Sequence, residues 1–169
     1  MLYYYGTIPS PLGEVHYAVS DLGAVAITTP GQPRAELSML LARRGLSLED
    51  ASPDNEGRHG VARELDAYFK GELTHFTFPL DEGGTDFQRQ VWQALREIPY
   101  GSIASYRDIA KAVGKARAAR AVGQANAKNP LPMVTPCHRV CSADGGLGGF
   151  AGGLEVKKHL LALEQRYRP

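Results

Sequence analysis

Residues 105–125 read SYRDIAKAVGKARAARAVGQA, and this stretch decides the fold class of the carboxy-terminal half. Ser105 is a residue type that caps helices, and the residues from Tyr106 to Val113 favour a first helix that Gly114 ends. The alanine-rich residues 116–125 predict a second helix. Two short helices joined by a glycine turn are typical of a helix-turn-helix, although many other helix pairs share this outline.

The amino-terminal half shows the pattern of a small antiparallel sheet with helices. Strands are predicted at residues 3–8, 15–19 and 24–28, and helices at residues 35–44 and 61–71. Residues 74–80 fit either a further strand or an extended connection, and residues 81–85 fit a domain junction. We therefore expect an α+β protein of two domains, with an α/β domain over residues 1–84.

The carboxy-terminal domain is expected to be mostly helical and winged-helix-like, over residues 85–169. Asp86 is expected to cap a helix whose apolar stripe runs from Phe87 to Ile98, where Pro99 ends it. A last helix is predicted over residues 155–166. This half therefore consists of several short helices around the predicted helix-turn-helix.

Charge is distributed unevenly along the 169 residues. Residues 1–84 contain six Lys and Arg against twelve Asp and Glu, a net charge of −6, whereas residues 85–169 contain thirteen against six, a net charge of +7. A basic half suits a polyanion such as DNA, unless the asymmetry is incidental. The sequence contains no bilayer-length apolar run and no signal-peptide pattern, so we expect a cytoplasmic protein with no membrane partner.

The stretch Pro136-Cys-His-Arg-Val140 places a thiol beside an imidazole. Pro136 stiffens the local chain, and His138 could act as the base that converts Cys137 to a thiolate. Adjacent side chains on an extended chain point to opposite sides, so a bridging water could be needed. The alternatives are a purely structural Cys–His pair and a disulfide from Cys137 to Cys141.

Neither a metal site nor a cofactor is expected. The five histidines are scattered and lack the spacing of a zinc site. The glycine-rich segment 145–153 is not followed by the Lys and Ser/Thr of a nucleotide-binding loop.

The chain resembles the O6-alkylguanine-DNA alkyltransferase family in a series of motifs that covers the carboxy-terminal half in order. The matching motifs are Phe87–Val91, Pro99–Ser102, Ser105–Tyr106, Arg117–Gly123, Asn129–Pro130, Pro136–Val140, Gly149–Leu154 and Leu160–Glu164. The resemblance implies DNA repair by direct reversal. O6-alkylguanine, and O4-alkylthymine as well, would be flipped out of the duplex, and its alkyl group would pass irreversibly to Cys137 in a single turnover.

The resemblance also implies a role for each matching residue. Glu164 would orient His138, Tyr106 would donate a proton to guanine N3, and Asn129 would hold the turn near the thiol, where a purely structural role stays open. Arg120 would enter the base stack as the nucleotide leaves it, unless it simply contacts phosphate. The expected DNA-binding residues are Arg120, Ala119, Ala121, Gly123, Arg117, Lys115 and Ser105. The expected pocket residues are Met133, Val140, Leu147, Gly148, Gly149, Phe150 and Ala151.

The chain departs from the family at two pocket positions, because relatives often have tyrosine and serine where this sequence has Phe150 and Ala151. Hydrogen bonding at that wall would then rely on backbone N–H groups. The expected partner is double-stranded DNA carrying O6-alkylguanine, bound by a monomer. Three other functions remain open: a lesion-binding protein without transfer activity, a helix-turn-helix regulator that senses redox state through its two cysteines, and a cysteine hydrolase of small esters or amides.

Overall fold

A computed structural model of the chain describes residues 1–142, 144–150 and 152–169. The chain divides into two compact units, Met1–Gly83 and Gly84–Pro169. None of the helices in the described part of the chain combines the length and the apolar character that a membrane span requires. The two units form an α+β protein, as predicted.

The first unit is built on a four-stranded sheet in the order β3-β2-β1-β4. Its strands are β1 (Tyr3–Ile8), β2 (Val15–Ser20), β3 (Gly23–Ile27) and β4 (Ser52–Pro53). The three predicted strands are confirmed and are antiparallel, with Tyr3 opposite Ser20 and Ile8 opposite Val15. The two-residue β4 adds a parallel edge beside β1, so the sheet is mixed rather than purely antiparallel.

Two helices complete this unit, α1 (Arg34–Ala42) and α2 (Val61–Phe69). Buried side chains of α1 pack with apolar residues of the sheet, because Leu37, Leu40 and Leu41 recur on one face of the helix. Residues 74–80 form no regular strand and pair with the sheet only through the isolated bridge between Ala24 and Leu80. The extended-connection alternative is therefore the observed one.

Among its described residues, the second unit contains four α-helices and two short strands. Its elements are α3 (Asp86–Arg96), β5 (Ala104–Ser105), α4 (Tyr106–Ala112), α5 (Ala119–Ala127), β6 (Val140–Cys141) and α6 (Leu154–Arg166). The strands β5 and β6 pair in parallel. Helices α3, α4 and α5 enclose an apolar core, and the indole Nε1 of Trp92 donates to the carbonyl of Ala125 at 2.9 Å.

Two predicted helix starts in this unit are wrong. Thr85, and not Asp86, caps α3, because its hydroxyl accepts from the backbone of Gln88 while the Gln88 side chain accepts from the backbone of Thr85. Helix α5 begins at Ala119 rather than at residue 116. Gly114 has a positive φ of 75°, and the following residues form a turn in which Ala118 N–H donates to the Lys115 carbonyl.

Candidate active site

The thiol of Cys137 is presented by a tightly bonded turn. The Thr135 carbonyl accepts from Cys137 N–H at 2.8 Å and from Asn129 Nδ2 at 2.7 Å, across a Pro136 with φ −80° and ψ 68°. Asn129 Oδ1 also accepts from the Leu131 backbone at 2.9 Å. Cys137 then begins a short 3₁₀ turn that ends at Arg139. These bonds fix the backbone on both sides of Pro136.

Cys137 is almost completely buried, with 6% of its surface exposed. Burial raises the pKa of its thiol to about 11, although a hydrogen bond from Asn129 and the charge of Lys157 act in the opposite direction. The thiol is therefore protonated at neutral pH. Any nucleophilic chemistry at this sulfur needs a neighbouring base.

The imidazole of His138 is fully buried beside Glu164, which α6 carries. His138 Nε2 lies 2.6 Å from Glu164 Oε2. His138 Nδ1 is buried and has no hydrogen-bond partner among the described residues. Burial lowers the pKa of His138 more strongly than Glu164 raises it, so the ring is neutral. A neutral ring with Nε2–H on the carboxylate has its lone pair on Nδ1.

Glu164 also receives hydrogen bonds from Arg139. Arg139 Nε lies 2.7 Å from Oε1 and Nη2 lies 3.1 Å from Oε2, a bidentate ion pair. Burial alone would raise the pKa of Glu164, but the hydrogen bonds from His138 and Arg139 and the charge of Arg139 together outweigh it and lower the pKa to about 2. Glu164 is therefore ionised at neutral pH.

Tyr106, the first residue of α4, lies between α5 and the glycine-rich segment. A Cβ added at Gly123 would lie 3.9 Å from one edge of its ring, and a Cβ added at Gly148 would lie 3.3 Å from the other. Burial, and then the neighbouring thiols of Cys137 and Cys141, raise the pKa of Tyr106, so the phenol keeps its proton. It is a hydrogen-bond donor near the Cys137 thiol.

The predicted pocket residues divide into groups. Val140 belongs to the apolar cluster that contains Cys137, and Phe150 packs against that cluster. Leu147 and Gly148 are half-buried and Gly149 is exposed. Met133 is buried, has a positive φ of 71°, and does not belong to that apolar cluster of described residues. Ala151 lies outside the described residues.

Apart from Ser105, the predicted DNA-binding residues lie on the turn before α5 and on α5 itself. Lys115, Arg117, Ala119 and Arg120 are exposed, whereas Ala121 and Gly123 are half-buried. Arg117 lies in the turn and not on the predicted helix. Ser105 is half-buried, and its hydroxyl accepts from Asp108 N–H as the cap of α4.

Three charged residues of the site were not predicted from the sequence to have a role. Lys157 is fully buried, and its ammonium donates to the carbonyls of Val140 at 2.6 Å and of Leu147. Arg139 donates to the Ile98 carbonyl at 2.7 Å in addition to Glu164. Arg96 donates to the Thr135 hydroxyl at 2.7 Å. The only available signal was helical spacing, which places Lys157 on the face of Leu160 and Glu164.

No metal site is formed by the described residues. Their His, Cys, Asp and Glu side chains form no group of three or more that could hold an ion. Cys137 and Cys141 are both free thiols.

Both units match known protein families. Residues 86–166 match the family described as 6-O-methylguanine DNA methyltransferase, DNA binding domain. Residues 3–82 match the family described as 6-O-methylguanine DNA methyltransferase, ribonuclease-like domain. The two matches together cover almost the whole chain.

Individual relatives agree with these matches. The methylated-DNA–protein-cysteine methyltransferase of Methanosarcina barkeri is 42% identical over 163 residues, which are 96% of this chain and 97% of the relative. The crystal structure of Mycobacterium tuberculosis OGT in complex with DNA is 41% identical, covers 98% of this chain and 95% of its own, and has a TM-score of 0.84. The O6-methylguanine-DNA methyltransferase structure from Pyrococcus kodakaraensis is 30% identical over 96% of this chain and 99% of its own, with a TM-score of 0.74.

Proposed function

The chain belongs to the 6-O-methylguanine DNA methyltransferase family, and from this we propose that it repairs DNA by moving the alkyl group of O6-alkylguanine onto its own Cys137. It is a DNA-repair methyltransferase that binds DNA and uses a protein cysteine as acceptor. The observation that carries the choice of Cys137 is its burial beside a neutral His138 that Glu164 orients.

The first step is removal of the thiol proton. His138 Nδ1 accepts it, directly or through one water, and becomes an imidazolium whose Nε2–H remains on Glu164. Glu164 stabilises this charge and holds the ring, as the carboxylate does in a Ser-His-Asp triad. The thiolate forms only when substrate is present, because burial otherwise keeps the thiol protonated.

The second step is displacement at the alkyl carbon. The thiolate electron pair forms the sulfur–carbon bond, and the carbon–oxygen bond breaks with its electrons moving into the guanine ring. Tyr106 donates a proton to guanine N3, which neutralises the leaving group, and can recover a proton from the His138 imidazolium through water. Asn129 holds the thiol through the hydrogen bond that already lowers the thiol pKa.

The base must leave the duplex to reach a buried sulfur. The exposed basic residues Lys115 and Arg117 bind the phosphate backbone, and small residues such as Ala119 let α5 lie close to the groove. Arg120 enters the stack in place of the flipped nucleotide, which offsets part of the few kcal/mol that flipping costs. The ammonium of Lys115 lies 5.5 Å from the centroid of the Phe87 ring, a cation–π contact that helps to hold the Lys115 side chain in place.

The product is a thioether, and it has no carbonyl that water could attack. Each molecule therefore acts only once. The protein acts as a monomer, and the same chemistry removes the alkyl group of O4-alkylthymine. Residues 85–169 carry both the DNA-binding surface and the acceptor cysteine, whereas residues 1–84 supply none of the proposed contacts.

A turnover experiment tests this proposal. The protein is mixed with an excess of duplex containing one O6-methylguanine, and the remaining lesion is counted over time. Repair should stop at one lesion per protein, disappear in Cys137→Ser, and persist in Cys141→Ser. Lesion binding without repair would instead favour a damage-recognition protein, and thiol-dependent binding to one undamaged sequence would favour a regulator. Multiple-turnover hydrolysis of a small ester, measured in a parallel assay without DNA, would favour a cysteine hydrolase.

A further inference from the structure

Arg139 contributes a buried positive charge to the hydrogen-bonded group around His138. Only 6% of its surface is exposed, and its guanidinium donates to both oxygens of Glu164 and to the Ile98 carbonyl. The proton-transfer scheme of Cys137, His138 and Glu164 does not use it. A buried ion pair is costly to desolvate, which raises the question of what Arg139 contributes to the neighbouring His138.

The bidentate contact fixes the plane of the Glu164 carboxylate. Arg139 donates to Oε1 and to Oε2, and Oε2 also lies 2.6 Å from His138 Nε2. Because Glu164 stays ionised, it accepts a hydrogen bond from Nε2–H and cannot donate one. The lone pair of His138 therefore stays on Nδ1, the nitrogen that has no described partner.

Nearby charged groups also change the pKa of the His138 ring. The charged groups that act on His138 are Glu164 and Lys157 from α6 and Arg139 from its own turn. Glu164 raises the pKa of His138, whereas Arg139 and Lys157 lower it after the larger effect of burial. The nearby Tyr100 phenol is neutral, because burial raises its pKa. Without Arg139, the Glu164 charge would be only partly compensated and would hold a proton on His138.

We propose that Arg139 is a positioning residue that keeps His138 neutral, with its lone pair on Nδ1, and so preserves it as the base for Cys137 at neutral pH. This inference rests on the proposed function. It assigns Arg139 a role in the pH range of alkyl transfer, in addition to any role in folding.

The test is the pH profile of single-turnover transfer, measured at saturating duplex from pH 5 to pH 9 for the wild type, Arg139→Met and Arg139→Lys. Methionine keeps an unbranched apolar stem and loses the charge, whereas lysine keeps the charge and loses the fork. The acid limb of Arg139→Met should move upward by about one pH unit, which is roughly a tenfold loss of rate on that limb. Arg139→Lys should keep the wild-type limb, even if its plateau is lower.

Several results would overturn the inference. A profile of Arg139→Met that superimposes on the wild type after scaling would reduce Arg139 to a structural role. If Arg139→Met does not fold, as judged by the fluorescence of the single Trp92, the lysine variant decides, and an upward shift of its acid limb would refute the charge argument. Absence of transfer by the wild type would refute the proposed function itself, which distinguishes the two failures.

A spectroscopic measurement on the same proteins adds a readout that does not depend on transfer. The ¹⁵N chemical shifts of the His138 ring at pH 6 should show the neutral tautomer protonated on Nε2 in the wild type and in Arg139→Lys. Arg139→Met should show an imidazolium fraction. A neutral ring in all three proteins would contradict the inference.

Discussion

Replacement of Glu164 by glutamine should remove a large part of the acid sensitivity of the second unit. The pKa of Glu164 falls from an ordinary value of 4.5 to about 2 in the folded protein. At roughly 1.4 kcal/mol per pKa unit, this shift corresponds to about 3 kcal/mol of stability. Because the folded pKa is depressed, the contribution is fully present above pH 4.5 and is lost as pH falls toward 2.

Glutamine keeps the shape of Glu164 but has only one carbonyl oxygen for the donors of His138 and Arg139. Its amide nitrogen would face His138 or Arg139, and the Arg139 charge would stay buried without a counterion. Breaking such a pair costs about 3 to 5 kcal/mol. Glu164→Gln should therefore be less stable than the wild type at pH 7, and the difference should shrink as pH falls from about 5 to about 2.

Urea unfolding at a series of pH values measures both effects. Trp92 is the single tryptophan, and its indole is buried in the second unit, so its fluorescence follows that unit alone. Glu155→Gln is the matched control, because it makes the same charge change at an exposed position of the same helix and should change stability by less than about 1 kcal/mol. Parallel pH dependence of Glu164→Gln and the wild type would refute the electrostatic account of this site.

Two further variants test the glycine-rich segment and the buried ammonium. Gly148→Ala should slow single-turnover transfer severalfold, because its Cβ would press on Tyr106. Gly145 also has a positive φ, 90° against 71° for Gly148, but a Cβ there would meet nothing within 4 Å, so Gly145→Ala should slow transfer less. Equal rates for the two would contradict the contact. Lys157→Met should lower the free energy of unfolding by about 1 to 3 kcal/mol through lost hydrogen bonds to buried carbonyls, and the exposed Lys158→Met should leave it nearly unchanged in the same Trp92 assay.

Local chemistry made parts of the fold predictable. Ser105 caps α4 and Gly114 follows its end, because a hydroxyl cap and a positive φ are properties of single residue types. The start of α5 was not predictable in this way. Residues 116–118 are good helix formers, yet Ala118 N–H bonds to the Lys115 carbonyl in a turn, which propensity alone does not indicate.

The candidate site likewise contains some features that could be predicted from the sequence and others that could not. The pairing of His138 with Glu164 followed from the family resemblance, and the structure places their side chains 2.6 Å apart. The burial of Lys157 was not predictable, because lysine is ordinarily exposed and its three carbonyl acceptors lie 8 to 17 residues earlier in the chain, beyond the reach of a local pattern. The contact of Arg139 with Glu164 likewise depends on how α6 packs against the turn, which no local pattern encodes.

Cys137 is the proposed acceptor of the alkyl group. Intact mass and peptide mapping after reaction with a duplex containing one O6-methylguanine test it directly, with an undamaged duplex as control. A single methyl group is expected, stoichiometric with the protein, confined to Cys137 and absent from Cys141. A methyl group on Cys141, or unmodified protein after complete loss of the lesion from the duplex, would contradict it.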